Sequence, residues 1–396
     1  MITKDYLVKL FKFIGIDLKG ISAKIRAYRG KDIIYNVNHH ASDKRCLIIY
    51  LVQPFKGVPI ESRHQNFAQS IEMAKTFDRY GYTVDVINFD NRHVKLKYKY
   101  DFVVGLIPRG IDVYSKNLNP DAIRVAYLTS MNLEVSAGNE LKRIDELKQR
   151  RGIVTQPRRD GGKLEDVIEK FDAVWYIGNA YNFQSYNTFK MPPVFYIKNS
   201  GYVFDWANPH AVRDPKSFVY FGSGGQVHKG LDLLLEIFAY KIKDCKLYVC
   251  GCYEKETDFH NAYHKELYES NNIIPIGFVN IESDKYKKLA TECAYTILPS
   301  CAEGQAGSIL SNMSAGMIPI VSNVCGFDEE YAINMPDCKM DTIEKYIREY
   351  SQKDQEWINK MSARSIEIVK HHFSMESFID SIDKGIKGAI EAHNRK

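Results

Sequence analysis

FGSGGQVHKGLDLLLEIF, residues 221–238, is the stretch whose reading decides the fold. An apolar run ends at Phe221, glycines follow at 222, 224 and 225, and an apolar helical pattern opens near Lys229. Strand, glycine turn and helix in that order begin a parallel βαβ unit. Glycines permit positive φ and let backbone N–H groups close on an anion. The helix start is expected to add roughly half a positive charge, and Lys229 a full one. The segment reads as a site for a diphosphate. Its spacing is neither Walker A nor G-x-G-x-x-G, so an NTPase or dehydrogenase does not fit.

Alternation of strands and helices extends in both directions from this turn. Upstream, Cys46–Val52, Thr83–Asn88, Phe102–Leu106, Arg124–Leu128 and Ala173–Ile177 read as strands, with helices over Arg63–Tyr80 and Glu140–Arg150. Continuous apolar runs such as CLIIYLV fit a parallel sheet buried on both faces. The four prolines between Pro192 and Pro215 break the rhythm, giving a last strand and an interdomain linker. Downstream, strands are expected at Ser217–Phe221, Lys246–Cys250, Ile273–Ile276, Tyr295–Leu298 and Ile318–Val321, with helices over Lys229–Tyr240 and near Phe259–Glu269. Three helical stretches close the chain, the last near Met375–Ala392. At 396 residues the chain exceeds one usual core. The expected class is therefore α/β, with two Rossmann-like parallel-sheet lobes and a ligand cleft at the carboxyl ends of their strands.

A second motif is LPSCAEGQAGSILSNMSAGMIPIVSN, residues 298–323. A strand ends at Pro299, and Glu303 stands before a helix rich in small residues. Gly304, Ala306 and Gly307 leave room for a ligand against the helix start, while Ile309, Leu310 and Met313 supply its buried face. A carboxylate there also satisfies the helix dipole.

Together, KGLDLLL behind its glycine turn and PSxxEGxxxSxLxxMxxGxIPIV about seventy residues later resemble the retaining GT-B glycosyltransferases of the glycogen synthase-like group, family 4. The resemblance is strongest over residues 216–325 and reduces to lobe topology over residues 46–200. It implies a donor site in which Lys229 binds the diphosphate and Glu303 contacts the transferred sugar. Gly222, Ser223, Gly224 and Gly225 would form the phosphate turn. Amides of Gly304, Gln305, Ala306, Gly307 and Ser308 would hold phosphates and sugar hydroxyls. It also implies a last helix that returns to the first lobe. Two positions depart from the pattern. Ser223 stands where the family has an arginine, and Ser311 where it has the second acid of E-x7-E; each change removes a charge-assisted contact. His228 and the two hydroxyls are the candidates to compensate. The chain then divides into a basic extension (1–45), an acceptor lobe (46–205), a nucleotide-sugar lobe (216–374) and a returning helix (375–396).

In the first lobe, residues 53–67 link strand to helix and face the cleft, so Arg63 and His64 are acceptor-side candidates and His64 a catalytic one. Thr129 and Ser130, within the Thr129–Glu134 segment, should line the same cleft. The basic stretch RRGIVTQPRRDGGK (150–163) reads as a solvated loop, with an acceptor-phosphate site as the alternative. No D-x-D, HExxH or Cys/His cluster occurs, so neither a metal nor a cofactor is expected. Eight scattered cysteines without a CxxC pair read as buried reduced thiols of a cytosolic protein.

The net charge is +5, and residues 1–45 carry ten Lys or Arg against four Asp. Tyr6, Leu7, Leu10, Phe11, Ile14 and Leu18 recur at helical spacing beside lysines. That stripe suits either packing on the first lobe or peripheral contact with an anionic membrane, as on the inner face of a plasma membrane. No apolar run spans a bilayer and no leader cleavage site stands out, which points to a cytoplasmic protein; no nucleic-acid motif accompanies the charge. The expected activity is metal-independent sugar transfer from a nucleotide diphosphate donor to a glycan, lipid-linked or other acceptor hydroxyl, in bacterial surface glycan or glycoconjugate assembly. A non-catalytic partner of an active transferase and a nucleotide-sugar epimerase of the same architecture are the alternatives.

Overall fold

A computed structural model describes residues 18–57, 65–106, 114–159 and 166–396. The stripe from Tyr6 to Ile14 lies outside the described residues, as do Arg63 and His64.

The first lobe is a seven-stranded sheet: β1 (Ile33–Ile34), β2 (Arg45–Tyr50), β3 (Thr83–Asn88), β4 (Tyr100–Gly105), β5 (Leu118–Leu128), β6 (Ala173–Tyr176) and β7 (Val194–Tyr196). Their spatial order is β1-β3-β2-β4-β5-β6-β7, parallel throughout except for β1, which runs antiparallel to β3. In register, Ile48 lies between Val86 and Val104, so the β-branched run is buried on both faces. The strand at Ile33–Ile34 lies inside the stretch read as an extension. Arg26 ties the preceding helix Leu18–Tyr28 to Asp32 (2.7 Å) and Asp90 (3.1 Å).

The second lobe is a six-stranded, wholly parallel sheet of β8 (Asp214–Gly222), β9 (Lys246–Gly251), β10 (Ile273–Gly277), β11 (Cys293–Leu298), β12 (Ile318–Ser322) and β13 (Ile333–Met335). The order is β10-β9-β8-β11-β12-β13, so β8 stands at the centre and delivers its glycine turn to the middle of the cleft. Such a position in an open parallel sheet is where ligands meet strand ends.

The chain passes from the first lobe to the second through residues 197–213 and returns near Phe373, where Gly201 N donates to Phe373 O (2.7 Å). After the return, helix Met375–Asn394 lies on the first sheet. Its buried positions Phe378, Ile382, Ile386 and Ala389 recur every three or four residues and join the core of Phe77, Phe102 and Trp175. A Cβ on Gly385 would fall 2.8 Å from Trp175 Nε1, and one on Gly388 2.1 Å from Phe195, so the missing side chains bring the helix onto the sheet. From the other side, helix Leu133–Arg151 leaves the first lobe and places Ile144 and Leu147 in the core of the second.

All eight cysteines are free thiols. No described helix is long and apolar enough to cross a membrane.

Candidate functional site

β8 ends at Gly222, and the turn after it is held by backbone bonds from Lys229 N to Gly225 O (3.1 Å) and from Leu231 N to Gln226 O (3.0 Å). Gly225 and Gly230 have φ of +81° and +77°. A Cβ would lie 1.9 Å from the His228 ring at the first and 2.4 Å from Pro299 O at the second, so both positions require glycine. The left-handed Gly230 delays the helix to Leu231–Glu236, followed by a wider π-type turn over Ile237–Lys241. Lys229 was expected at the helix start; it sits instead in the turn, two residues ahead. The positive charge therefore comes from its side chain rather than from a helix end.

Lys229 Nζ makes a direct ion pair with Glu303 Oε1 in a partly buried setting. Around the same carboxylate stand Ser300 Oγ at 3.3 Å, Arg159 Nη2 at 3.7 Å and His228 Nε2 at 4.0 Å. Burial alone pushes a carboxyl up, but Lys229, Arg159 and His228 outweigh it and hold Glu303 at about 2. Glu303 is ionised at neutral pH. Burial pulls His228 below its ordinary value, so its ring is neutral there, wedged between Glu303 and Glu140 (3.6 Å).

The glycines after Glu303 do something other than what their sequence suggests. Ser130 and Gly304 form an antiparallel bridge, and Met131 N donates to Glu303 O (3.1 Å). A Cβ on Gly304 would meet Thr129 O at 2.2 Å, and one on Gly307 would meet Gln65 Nε2 at 2.1 Å. Much of the room expected for a ligand is thus filled by the first lobe. Asn182 Nδ2 caps Gly304 O and Val324 O (both 2.8 Å), and Asn199 Nδ2 reaches Gln305 O (3.1 Å). These bonds knit the lobes by main chain, with little dependence on charge.

A cleft of about 1030 Å³ remains between them. Gly222, Ser223, Gly224, Gly225 and Lys229 line it from the glycine turn. Glu303, Gly304, Gln305, Ala306, Gly307 and Ser308 line it from the junction, with Ser311 a turn further on. From the first lobe, Thr129 and Ser130 reach it, whereas Asn132 caps the following helix through Glu134 N (2.9 Å) and the rest of that segment turns away. Ser311 Oγ bonds its own helix at Gly307 O (3.2 Å).

Three features escape the sequence reading. The described part of the basic stretch, 150–159, has its arginines engaged: Arg150 binds Asp232 and Glu236 (both 2.9 Å), Arg151 binds Glu266 (2.8 Å), and Arg158 and Arg159 line the cleft. Glu256 enters the glycine turn, accepting bonds from Gly225 N and from Gln226 N (3.2 Å). Gln65 and Asn199, 3.4 Å apart, floor the cleft on the first-lobe side. Only the arginines carried a signal, a run of charge too dense for an ordinary linker. Among the described residues no group of His, Cys, Asp or Glu is placed to hold a metal ion.

Residues 215–345 match the family model of glycosyl transferases group 1. A comparison with curated proteins returns no match. Among solved structures, sucrose-phosphate synthase from Thermosynechococcus elongatus is similar at 14% identity and a TM-score of 0.62, over 88% of this chain and 100% of that one. Anabaena HepE in complex with UDP-glucose is similar at 11% identity and a TM-score of 0.55, over 87% of this chain and 99% of that one. The S. aureus TarM variant in complex with Fondaparinux, alpha-GlcNAc-glycerol and UDP gives 13% and 0.50, over 74% of this chain. The chain spans about half of that protein, 55% of its length. At such identities the likeness is one of architecture. The fold is GT-B, and its second lobe carries the group 1 glycosyltransferase domain.

Proposed function

We propose that this chain is a retaining glycosyltransferase that moves a sugar from a nucleotide diphosphate to an acceptor hydroxyl in the cleft between its lobes. The observation that carries the reading is the Lys229–Glu303 pair, a partly buried cation and carboxylate at the mouth of β8 and β11, on the cleft beside the glycine turn. The donor's phosphates lie on the turn from Gly222 to Gly225 and against Lys229, and its sugar lies toward Glu303. Transfer breaks the bond between the anomeric carbon and the phosphate oxygen. Negative charge grows on the departing nucleoside diphosphate, and a fixed cation in a site shielded from water stabilises it strongly. The acceptor oxygen bonds the anomeric carbon from the same face, and its proton passes to the departing phosphate oxygen. Glu303, ionised throughout, orients the sugar and steadies positive charge on the ring. Thr129 and Ser130 stand on the acceptor side. The UDP and UDP-glucose held by the structural neighbours support a nucleotide-sugar donor. The acceptor is a glycan or a lipid-linked glycan, and no cofactor or metal takes part.

Ser311 favours a second reading, since its hydroxyl is engaged by its own helix and leaves a ribose without a carboxylate partner. On that reading the chain is a non-catalytic partner of an active transferase. Peripheral contact with an anionic membrane belongs to the proposal too, supported by Ile21, Ile25 and Tyr28 exposed on one helix with Lys24 and Arg29.

A thermal-shift panel of UDP, GDP, ADP and CMP with their sugars identifies the donor through binding linkage. Glu303→Gln then tests the mechanism: it should bind the nucleoside diphosphate at least as tightly as wild type does and lose most turnover. Near-normal turnover in the variant removes Glu303 from catalysis, and absent turnover in wild type with any donor favours the partner reading.

A further inference from the structure

We propose that Arg159, carried by the first lobe, is the second cation of the donor's diphosphate site. The inference rests on the donor reading above and adds a ligand from the opposite lobe. Helix Leu133–Arg151 stops at Gly152, whose φ of +69° turns the chain out of the helix and toward the second lobe. The loop is then pinned. The buried Glu140 carboxylate accepts from the backbone N–H of Arg158 (2.9 Å) and of Arg159 (2.6 Å).

The two arginine side chains separate in what they do. Arg158 is committed, bonded to Asp258 and 3.4 Å from Glu256. Arg159 is not. One nitrogen donates to Ala302 O and stands 3.7 Å from Glu303, while its buried Nε has no hydrogen-bond partner among the described residues. A guanidinium offers five N–H donors, and leaving a buried one unpaired is unfavourable.

Charge points the same way. The cleft is lined by Arg158, Arg159, Lys229 and Lys255 against Glu256 and Glu303, and both Lys229 and Arg159 face the same Glu303 carboxylate. His228 is buried and neutral. In the phosphate turn the amides of Gly225 and Gln226 already serve Glu256, so an arriving diphosphate relies more on side-chain cations. A guanidinium pairs with phosphate oxygens through two parallel N–H bonds, which an ammonium cannot do. Diphosphate is thus held between Lys229 of the glycine turn and Arg159 of the loop that the first lobe sends onto the second.

The test is titration calorimetry on the full chain. UDP, GDP and ADP are titrated into wild type, and the diphosphate that binds is compared with its nucleoside in Arg159→Ala, Arg159→Lys and Lys229→Ala. Arg159→Ala should weaken the diphosphate about tenfold to hundredfold and leave the nucleoside unchanged, with Arg159→Lys recovering part of the loss. Diphosphate affinity within twofold of wild type, or equal loss for the nucleoside, overturns the proposal and leaves Arg159 a strap between lobes. If Lys229→Ala loses affinity and Arg159→Ala does not, only this inference fails. If none of the three diphosphates binds wild type, the donor reading fails and this one with it.

Discussion

The chain has two glycine clusters on the cleft, and they work in opposite ways. Gly222, Gly224 and Gly225 face their own lobe: their space is bounded by Tyr220, Glu256 and His228. Gly304 and Gly307 face the other lobe, where Thr129 O and Gln65 take up the space a side chain would need. One cluster shapes a turn and the other forms a seam. In sequence both look like room left for a ligand; in the fold the first gives most of that room to side chains of its own lobe, with Gly224 left open, and the second gives it to Thr129 O and Gln65 of the opposite lobe.

Four experiments break or sharpen this contrast. The largest effect belongs to the charge pair between the clusters. Lys229→Ala should lower turnover by about 10²–10³, the loss typical of removing one preorganised stabiliser of a charged transition state. A loss below tenfold in steady-state kinetics would detach the turn from catalysis. Next comes the seam. Gly304→Ala drives a Cβ into Thr129 O and should destabilise by about 1–3 kcal/mol in urea unfolding, as overpacking does. If it unfolds like wild type, the lobes are not knitted there.

The third test reads Glu303 through acid. Its folded value of about 2 is below its ordinary 4.5, so its stabilisation is present above pH 4.5 and is lost as pH falls toward 2. The stability difference between wild type and Glu303→Gln should therefore shrink over that window, followed by urea midpoints at successive pH. A gap that widens on acidification contradicts the ion-pair network. The smallest effect is at Gly224→Ala. Its φ is not positive, and the added Cβ would meet only Glu256 Oε1 at 3.6 Å, an ordinary contact. Stability should stay within about 0.5 kcal/mol of wild type by thermal melting. A large loss would make the first cluster a seam as well.

Much of the architecture was readable from local pattern alone. CLIIYLV could be little other than a strand buried on both faces, and β2, Arg45–Tyr50, takes up its first five residues. The mouths of β8 and β11 announced themselves because glycine, lysine and glutamate at strand ends have few structural uses. What stayed hidden is pairing at long range. Ile33–Ile34 is too short to show alternation, and only its partner β3 makes it a strand. Nothing near Glu256 tells that its carboxylate enters a turn thirty residues earlier. Arg158 and Arg159 looked like a wet loop because the acids that hold them, Asp258 and Glu303, come from the other lobe. The helix boundary at Leu231 was displaced by one residue, Gly230, whose left-handed conformation the packing of Pro299 imposes.

The returning helix also bears on how the molecule is made. The first lobe leaves the ribosome first, yet its core includes Phe378, Ile382, Ile386 and Ala389. That core cannot close until those residues have been translated. The second lobe, whose apolar core ends at Phe373, completes its own set a few residues sooner. Translation order and order of core completion are thus reversed. Through most of synthesis one face of the nascent first sheet is without its covering helix, an apolar surface that other chains can reach.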